Sequence, residues 1–186
     1  MEWSSMPSTG IPDDLETLII AEGSEWETTV YDVRKCAQWA VESFRRNPGP
    51  SQGIYWHHTV SRCDASDVEE QYRWLLSHRN EGPYGLPYNF LVFPSAPHVV
   101  WYLNDIDRAW PHTYGHNDAT AVCAVGNWDV TPTPPGLADK MWHLSHALMV
   151  MWGQDIPVLG HRDTFATACP GRYLYADLKR LTDGTA

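Results

Sequence analysis

Apolar residues along the chain recur with helical spacing in some stretches and with strand-like spacing in others. Val30, Val33, Ala37, Ala40, Val41 and Phe44 follow a helical period, which predicts a first helix over about Val30 to Arg46. Asn47-Pro48-Gly49-Pro50 stops it. Ile54 to Val60 is rich in β-branched and aromatic residues and predicts a strand. Asp64 or Ser66 caps the next helix, with Glu69 as the capping-box partner of Ser66. That helix runs to about His78 and turns Val68, Tyr72, Leu75 and Leu76 inward. Tyr88 to Phe93 and His98 to Leu103 read as a hairpin around Pro94 to Pro97. Alternation puts Tyr88, Phe90 and Val92 on one face and Asn89, Leu91 and Phe93 on the other. Both faces are largely apolar, as in a strand covered on two sides. Trp110 to Asn117 is a loop, and Thr120 to Val125 is a small, apolar central strand. Leu137 to Trp152 is a long helix, Ile156 to Leu159 a short strand, Gly160 to Gly171 a loop, and Tyr173 to Leu181 the last helix.

Mixed strands with intervening helices predict an α/β fold with a single central sheet flanked by helices. At 186 residues the chain has room for one domain with a real core. Residues 1–27 are turn-rich and acidic and read as an extended arm or a short cover. The expected division is an N-terminal arm and first helix over 1–49, packed on a main domain over 50–186. Thr131-Pro132-Thr133-Pro134-Pro135 is a rigid spacer too short to separate domains.

Charge narrows the partners. With 13 Lys plus Arg against 23 Asp plus Glu, the net charge is -10. That argues against nonspecific binding to nucleic acid or to an anionic membrane. No stretch approaches the apolar length of a membrane span, so no membrane insertion is expected. The N-terminus has neither the basic nor the apolar region of a secretory signal. The 10 Trp and 9 Tyr suit both a core and a sugar-binding or peptide-binding groove. Cys36, Cys63, Cys123 and Cys169 form no CxxC pair. Cys36 and Cys123 sit in apolar surroundings and read as buried thiols.

The chemistry concentrates near the C-terminus. His161 follows a strand end, and Cys169 lies eight residues further on, across a loop of small residues. Imidazole and thiolate are both zinc ligands, and a catalytic zinc commonly takes three protein ligands with one position open. The best third donor is the strand pair His57-His58. Adjacent strand residues face opposite ways, so only one of the two reaches a metal on a given face, and spacing alone does not choose. His78, His98, His143 and His146 lack such company and read as structural or surface histidines.

Several motifs now stand in series. Trp56-His57-His58-Thr59, Tyr88-Asn89-Phe90, His112-Thr113 with Gly115 and Asn117, Ala121 to Asn127, and Gly160-His161-Arg162-Asp163 followed by Thr167 and Cys169-Pro170-Gly171 lie in order over residues 50–182. This series resembles the type 2 N-acetylmuramoyl-L-alanine amidases, a family that includes the peptidoglycan recognition proteins and the small phage lysozyme-amidases, the latter being nearest in pattern. The resemblance implies a peptidoglycan recognition protein-like fold and one Zn2+ held by His57, His161 and Cys169. It implies that His58 points the other way. It gives Tyr88 and Thr167 catalytic roles as donors to the oxyanion of an amide in hydrolysis. Structural alternatives are a core tyrosine at Tyr88 and a loop cap at Thr167. His112 is expected near the site, in contact with substrate; Asn117 is expected to hold a loop turn, with binding of the substrate peptide as the alternative. Trp110, Tyr114 and Trp128 flank the central strand and are candidate groove residues, with packing as the alternative.

There are departures from the pattern. Cys123 stands where one branch of the family carries a catalytic Glu, Asn89 replaces a His, and Ala121 replaces a common Ile. The implied activity is hydrolysis of the amide between the muramic acid lactyl group and L-alanine of bacterial cell-wall peptidoglycan. The alternatives are a non-catalytic peptidoglycan-binding module, a zinc hydrolase of another amide, and a purely structural zinc protein. A phage or prophage lysin is expected, monomeric and retained in the host cytoplasm until lysis. A separate wall-binding module in a longer parent protein is compatible with this picture.

Overall fold

The computed structural model describes residues 15–40, 51–80 and 83–184. Its elements are β1 (Glu16–Ile20), β2 (Thr28–Asp32), β3 (Ile54–His58), α1 (Val68–His78), β4 (Phe90–Val92), β5 (Val100–Tyr102), β6 (Thr120–Ala124), α2 (Leu137–Trp152), β7 (Val158–Gly160) and α3 (Arg172–Thr182). The seven strands form one mixed sheet in the order β1-β2-β5-β4-β6-β3-β7. The expected hairpin is present, with β4 antiparallel to β5. The strands β4, β6, β3 and β7 run parallel to one another.

Every residue of β3, β4 and β6 is buried, as required where parallel strands are covered on both faces. On one face Ile54, Trp56, Phe90, Val92, Val122 and Ala124 pack against residues of α2 and α3, including Met141, Leu144, Leu148 and Leu174. On the other, Leu91, Phe93, Trp101, Cys123 and Val125 pack with Tyr72 and Leu75 of α1. The helix α2 carries Leu137, Met141, Leu144 and Leu148 at helical spacing and ends on Gly153 in the left-handed region.

Three details depart from the sequence expectation. The segment predicted as a helix from Val30 begins instead as β2, in which Thr28, Val30 and Asp32 are buried alternately. Threonine and valine at 28–30 are stiff at χ1 and favour a pleated surface, and this outweighs the coincident helical spacing. The chain then turns, with Cys36 N–H donating to the Val33 carbonyl at 3.0 Å, and the indole of Trp39 donating to that same carbonyl at 2.7 Å. Residues 41–50, the end of the expected helix and its stop signal, lie outside the described residues. Within the arm expected over 1–27, Glu16–Ile20 forms β1, antiparallel to β2, so β1 and β2 belong to the same sheet as the later strands; residues 1–14 lie outside the described residues. The cap of α1 is Asp67, whose carboxylate accepts from Glu70 N at 2.8 Å. The Glu70 carboxylate accepts from Ser66 N and Ser66 Oγ, so the cap is Asp67 with Glu70 bracing Ser66, in place of the expected pair Ser66 and Glu69. Among the cysteines, Cys123 is buried and Cys36 only half-buried, and all four are free thiols.

Asp32 closes β2 from the inside. It is 5% exposed and accepts from Arg34 Nε at 2.9 Å, from Arg34 Nη2 at 2.6 Å and from Arg34 N at 3.1 Å. Arg34 also pairs with Asp105 and lies over the Tyr102 ring at 4.2 Å. Burial alone raises the Asp32 pKa, but the Arg34 hydrogen bonds and charge outweigh it and hold the carboxyl below its ordinary 3.8. A lowered folded-state pKa contributes stability above the unfolded value and loses it as pH falls through the folded value. Asp32→Asn is therefore expected to cost about 1–3 kcal/mol at neutral pH. In urea unfolding series its deficit against the parent chain should shrink as pH falls below the ordinary aspartate range. A deficit constant from pH 7 to pH 2 refutes the assignment.

Candidate metal centre

The site lies at the C-terminal ends of β3 and β7. Within β3 the side chains alternate, so Trp56 and His58 face the α2 side while Tyr55 and His57 face the other. His57 is 1% exposed. His58 accepts from Trp128 N at 3.2 Å through Nδ1, turned away as expected.

From β7 the chain enters a 3₁₀ turn, His161–Asp163. Gly160 N donates to Asp163 at 2.7 Å, which tightens the turn. A side chain at Gly160 would meet the Tyr175 ring at 2.8 Å, so the close approach needs glycine. The loop folds back on itself, with Arg162 N donating to Cys169 O at 3.0 Å. Thr167 Oγ1 accepts from Cys169 N at 3.2 Å.

This fold-back assembles a donor set. One ligand atom from each of His57, His161 and Cys169 lies within 4.8 Å of the others. Cys169 Sγ is 3.5 Å from His57 Nδ1, and the rings of His57 and His161 are 4.8 Å apart. His161 Nε2 is buried with no hydrogen-bond partner. Buried polar atoms are rarely left so, and an unpaired nitrogen on an imidazole grouped with a thiol and a second imidazole fits a metal ligand. Burial lowers the pKa of His57 well below 6.5, with the neighbouring His112, His161 and His58 adding to the effect. Burial also lowers His161. Burial pushes the Cys169 thiol up to about 12, opposed in part by the His58 backbone and by Arg162. Two neutral imidazoles and a thiol that needs a nearby cation to ionise are the donors zinc takes in three-ligand sites.

Around this set, the other candidate residues take distinct positions. The Tyr88 ring is 5.3 Å from that of His57. Burial pushes its phenol well above 10, and the nearby thiols of Cys123 and Cys169 add to the rise. Tyr88 packs with Leu91 and Phe93, not with Phe90 and Val92 as simple alternation predicts. The cause is a bend at Asn89, whose amide accepts from Ala121 N at 2.8 Å and donates to the carbonyls of Asn104 and Asp105. Beside Tyr88 a cavity of about 190 Å³ opens toward Thr59, Ser61, Trp74, His78 and Leu86.

His112 is within reach of the site but is 7% exposed. Its Nδ1 is 3.2 Å from His57 Nε2, and its Nε2 is 2.9 Å from the Ala119 carbonyl. Neither nitrogen is left for a substrate contact. Burial lowers its pKa to about 4, against the opposing Ala119 hydrogen bond. Asn117 accepts from Thr113 N at 3.0 Å and holds the loop turn. Trp128 is buried in the α2-side core. Trp110 donates to the Asp105 carbonyl and lines a separate cavity with Arg34 and Gln38. Tyr114 alone of the three aromatic candidates is well exposed, at 82%. It lies 6.3 Å from the Phe165 ring, which stacks on His161 at 5.7 Å. Sequence reasoning missed Phe165 and Thr113. Both sit inside the motifs, at positions where no single residue type announces chemistry.

No family model matches the chain, and no curated protein matches it. Solved structures do. An endolysin N-acetylmuramoyl-L-alanine amidase, LysCS from Clostridium intestinale URNW, is similar with a TM-score of 0.59 and 21% identity, over 79% of this chain and 91% of that one. The Drosophila peptidoglycan recognition protein SD is similar with a TM-score of 0.68 and 19% identity, over 81% and 94%. A Drosophila PGRP-LB variant solved in complex with tracheal cytotoxin has a TM-score of 0.65 and 19% identity, over 77% and 88%. At such identities the likeness is one of fold. The chain thus has the α/β fold shared by N-acetylmuramoyl-L-alanine amidases and peptidoglycan recognition proteins.

Proposed function

We propose that the chain is a zinc-dependent amidase that hydrolyses the bond between the muramic acid lactyl group and L-alanine in bacterial peptidoglycan. The observation that carries this reading is the trio His57, His161 and Cys169, with the orphaned His161 Nε2. It is supported by the fold shared with an amidase and with a peptidoglycan recognition protein solved in complex with tracheal cytotoxin. A zinc ion held by these residues supplies a water of lowered pKa and a Lewis acid for the amide carbonyl.

The protein's own groups do the rest. Tyr88 keeps its proton and donates it as a hydrogen bond to the oxyanion that develops on the carbonyl oxygen. Thr167 Oγ1 already accepts from Cys169 N, so its own hydroxyl proton is free to donate. Tyr114 and Phe165, beside His161, form an exposed aromatic rim on which a sugar ring of the glycan stacks. An endolysin role fits the likeness to LysCS, and the substrate makes the cell wall the place of action. No helix among the described residues is long and apolar enough to cross a membrane.

Purified cell walls should lose turbidity with the zinc-loaded chain and not after chelation. Mass analysis should find free peptide stems beginning with L-alanine and intact glycan strands. New reducing ends without free stems would refute the amidase, and wall binding without cleavage would make the chain a receptor. Cys169→Ser should lose both zinc and cleavage. Tyr88→Phe should keep zinc and fold while kcat falls about a hundred-fold to a thousand-fold. KM should change little, because an oxyanion donor acts mainly in the transition state; cleavage at the parental rate would leave Tyr88 a packing residue. Tyr114→Ala combined with Phe165→Ala should raise KM on walls several-fold and leave kcat nearly unchanged. An unaltered KM removes the rim from the substrate path.

A further inference from the structure

His112 lies behind the trio, with a hydrogen-bond partner at each ring nitrogen. On one side Nε2 faces the Ala119 carbonyl at 2.9 Å. A carbonyl only accepts, so Nε2 carries a proton. On the other side Nδ1 faces the Thr113 hydroxyl at 2.9 Å and His57 Nε2 at 3.2 Å. His112 is buried, and among the described residues no carboxylate hydrogen-bonds to it. A buried imidazole in that setting is neutral, so Nδ1 is a bare acceptor.

That determines the next ring. His57 Nε2 meets the bare His112 Nδ1 and, at 3.4 Å, Thr113 Oγ1. If the Thr113 hydroxyl donates to His112 Nδ1, its oxygen still accepts from His57. By either route His57 Nε2 is the donor, and its proton resides there. Its Nδ1 is then a lone pair, and that is the atom 3.5 Å from Cys169 Sγ. A histidine that binds a metal commonly donates its other ring N–H to a fixed acceptor, which sets tautomer and orientation. Here the acceptor is a second histidine, itself oriented by a backbone carbonyl.

We propose that Ala119 O, His112 and Thr113 form a relay that holds His57 in its Nε2–H tautomer and presents Nδ1 to the metal. His112 is then a positioning residue and not a substrate contact. Its purpose rests on the zinc reading of the trio, whereas the tautomer exists without metal. With Nδ1 bare, the Cys169 S–H is the group placed to donate to it, and a zinc ion held there would take the sulfur as thiolate, its proton passing to solvent.

Ring nitrogen shifts from two-bond proton–nitrogen spectra of the metal-free full chain read the tautomers directly. His57 and His112 should both be protonated on Nε2 and bare on Nδ1. A His57 protonated on Nδ1 overturns the relay. Zinc affinity by chelator competition supplies the second measurement. His112→Leu should weaken zinc binding about 10–100-fold. His112→Gln, whose amide offers both an acceptor and a donor, should recover most of it. Equal zinc affinity in the Leu variant and the parent overturns the proposal, as does a Gln variant no better than Leu when both melt alike. Should the parent chain bind no zinc, the amidase reading falls and the tautomers alone decide the relay.

Discussion

The strand β3 is hydrogen-bonded on both sides, to β6 and to β7. A strand held that way cannot slip by one residue without exchanging its two faces. Trp56 is fully buried on the α2 side, its indole 3.2 Å from Ser145, so a slip would drive that ring to the opposite face. The pairing of Trp56 with Gly160 sets the end of β3 beside the start of the 3₁₀ turn. His57 and His161 are therefore brought together by strand register, and the Cys169 loop closes onto a position already defined by the sheet.

The pocket this creates is short of charge. His57, His112 and His161 lie near one another with pKa values lowered by burial, and burial raises the Cys169 thiol. Neutral groups in a water-poor site avoid the cost of solitary buried charges. They also leave lone pairs exposed to whatever cation enters. Asp32 and Asp105, by contrast, share Arg34 beside β2 and β5. Fold stability and site chemistry thus draw on different electrostatic pairs.

Much of this was legible from the residues alone. The long helix α2 was readable to its ends, because its apolar period is unbroken and Gly153 closes it. The β4–β5 hairpin and the central strand β6 were readable from short apolar runs between turn residues. The opposed His57 and His58 followed from alternation once one of them was chosen, and only the motif resemblance chose. What failed has local causes. The segment after Val30 carries apolar residues compatible with two periods, and pairing with β1 and β5 decided for strand. Tyr88 changed face because Asn89 spends its side chain on backbone groups and bends the chain. The burial of His112 was invisible because its partner is a backbone carbonyl, which no side-chain pattern reports.

Cys123 bears on Tyr88 in a way that its neutrality alone does not convey. It pairs with His57 across the β3–β6 register, and its buried thiol is one of the groups that hold the pKa of the Tyr88 phenol up. A thiol sulfur is a weak acceptor. A carboxylate at the same position would form a charge-assisted bond about twice as strong and would hold the phenol against it. With cysteine there, the Tyr88 hydroxyl meets no strong acceptor on β6 and can donate to a developing oxyanion at small cost. The thiol itself stays protonated, since burial pushes it well above 9, so it offers no competing base. The residue that departs from the acidic branch of the resemblance therefore suits the role proposed for Tyr88, because it leaves the donor without a strong competing acceptor.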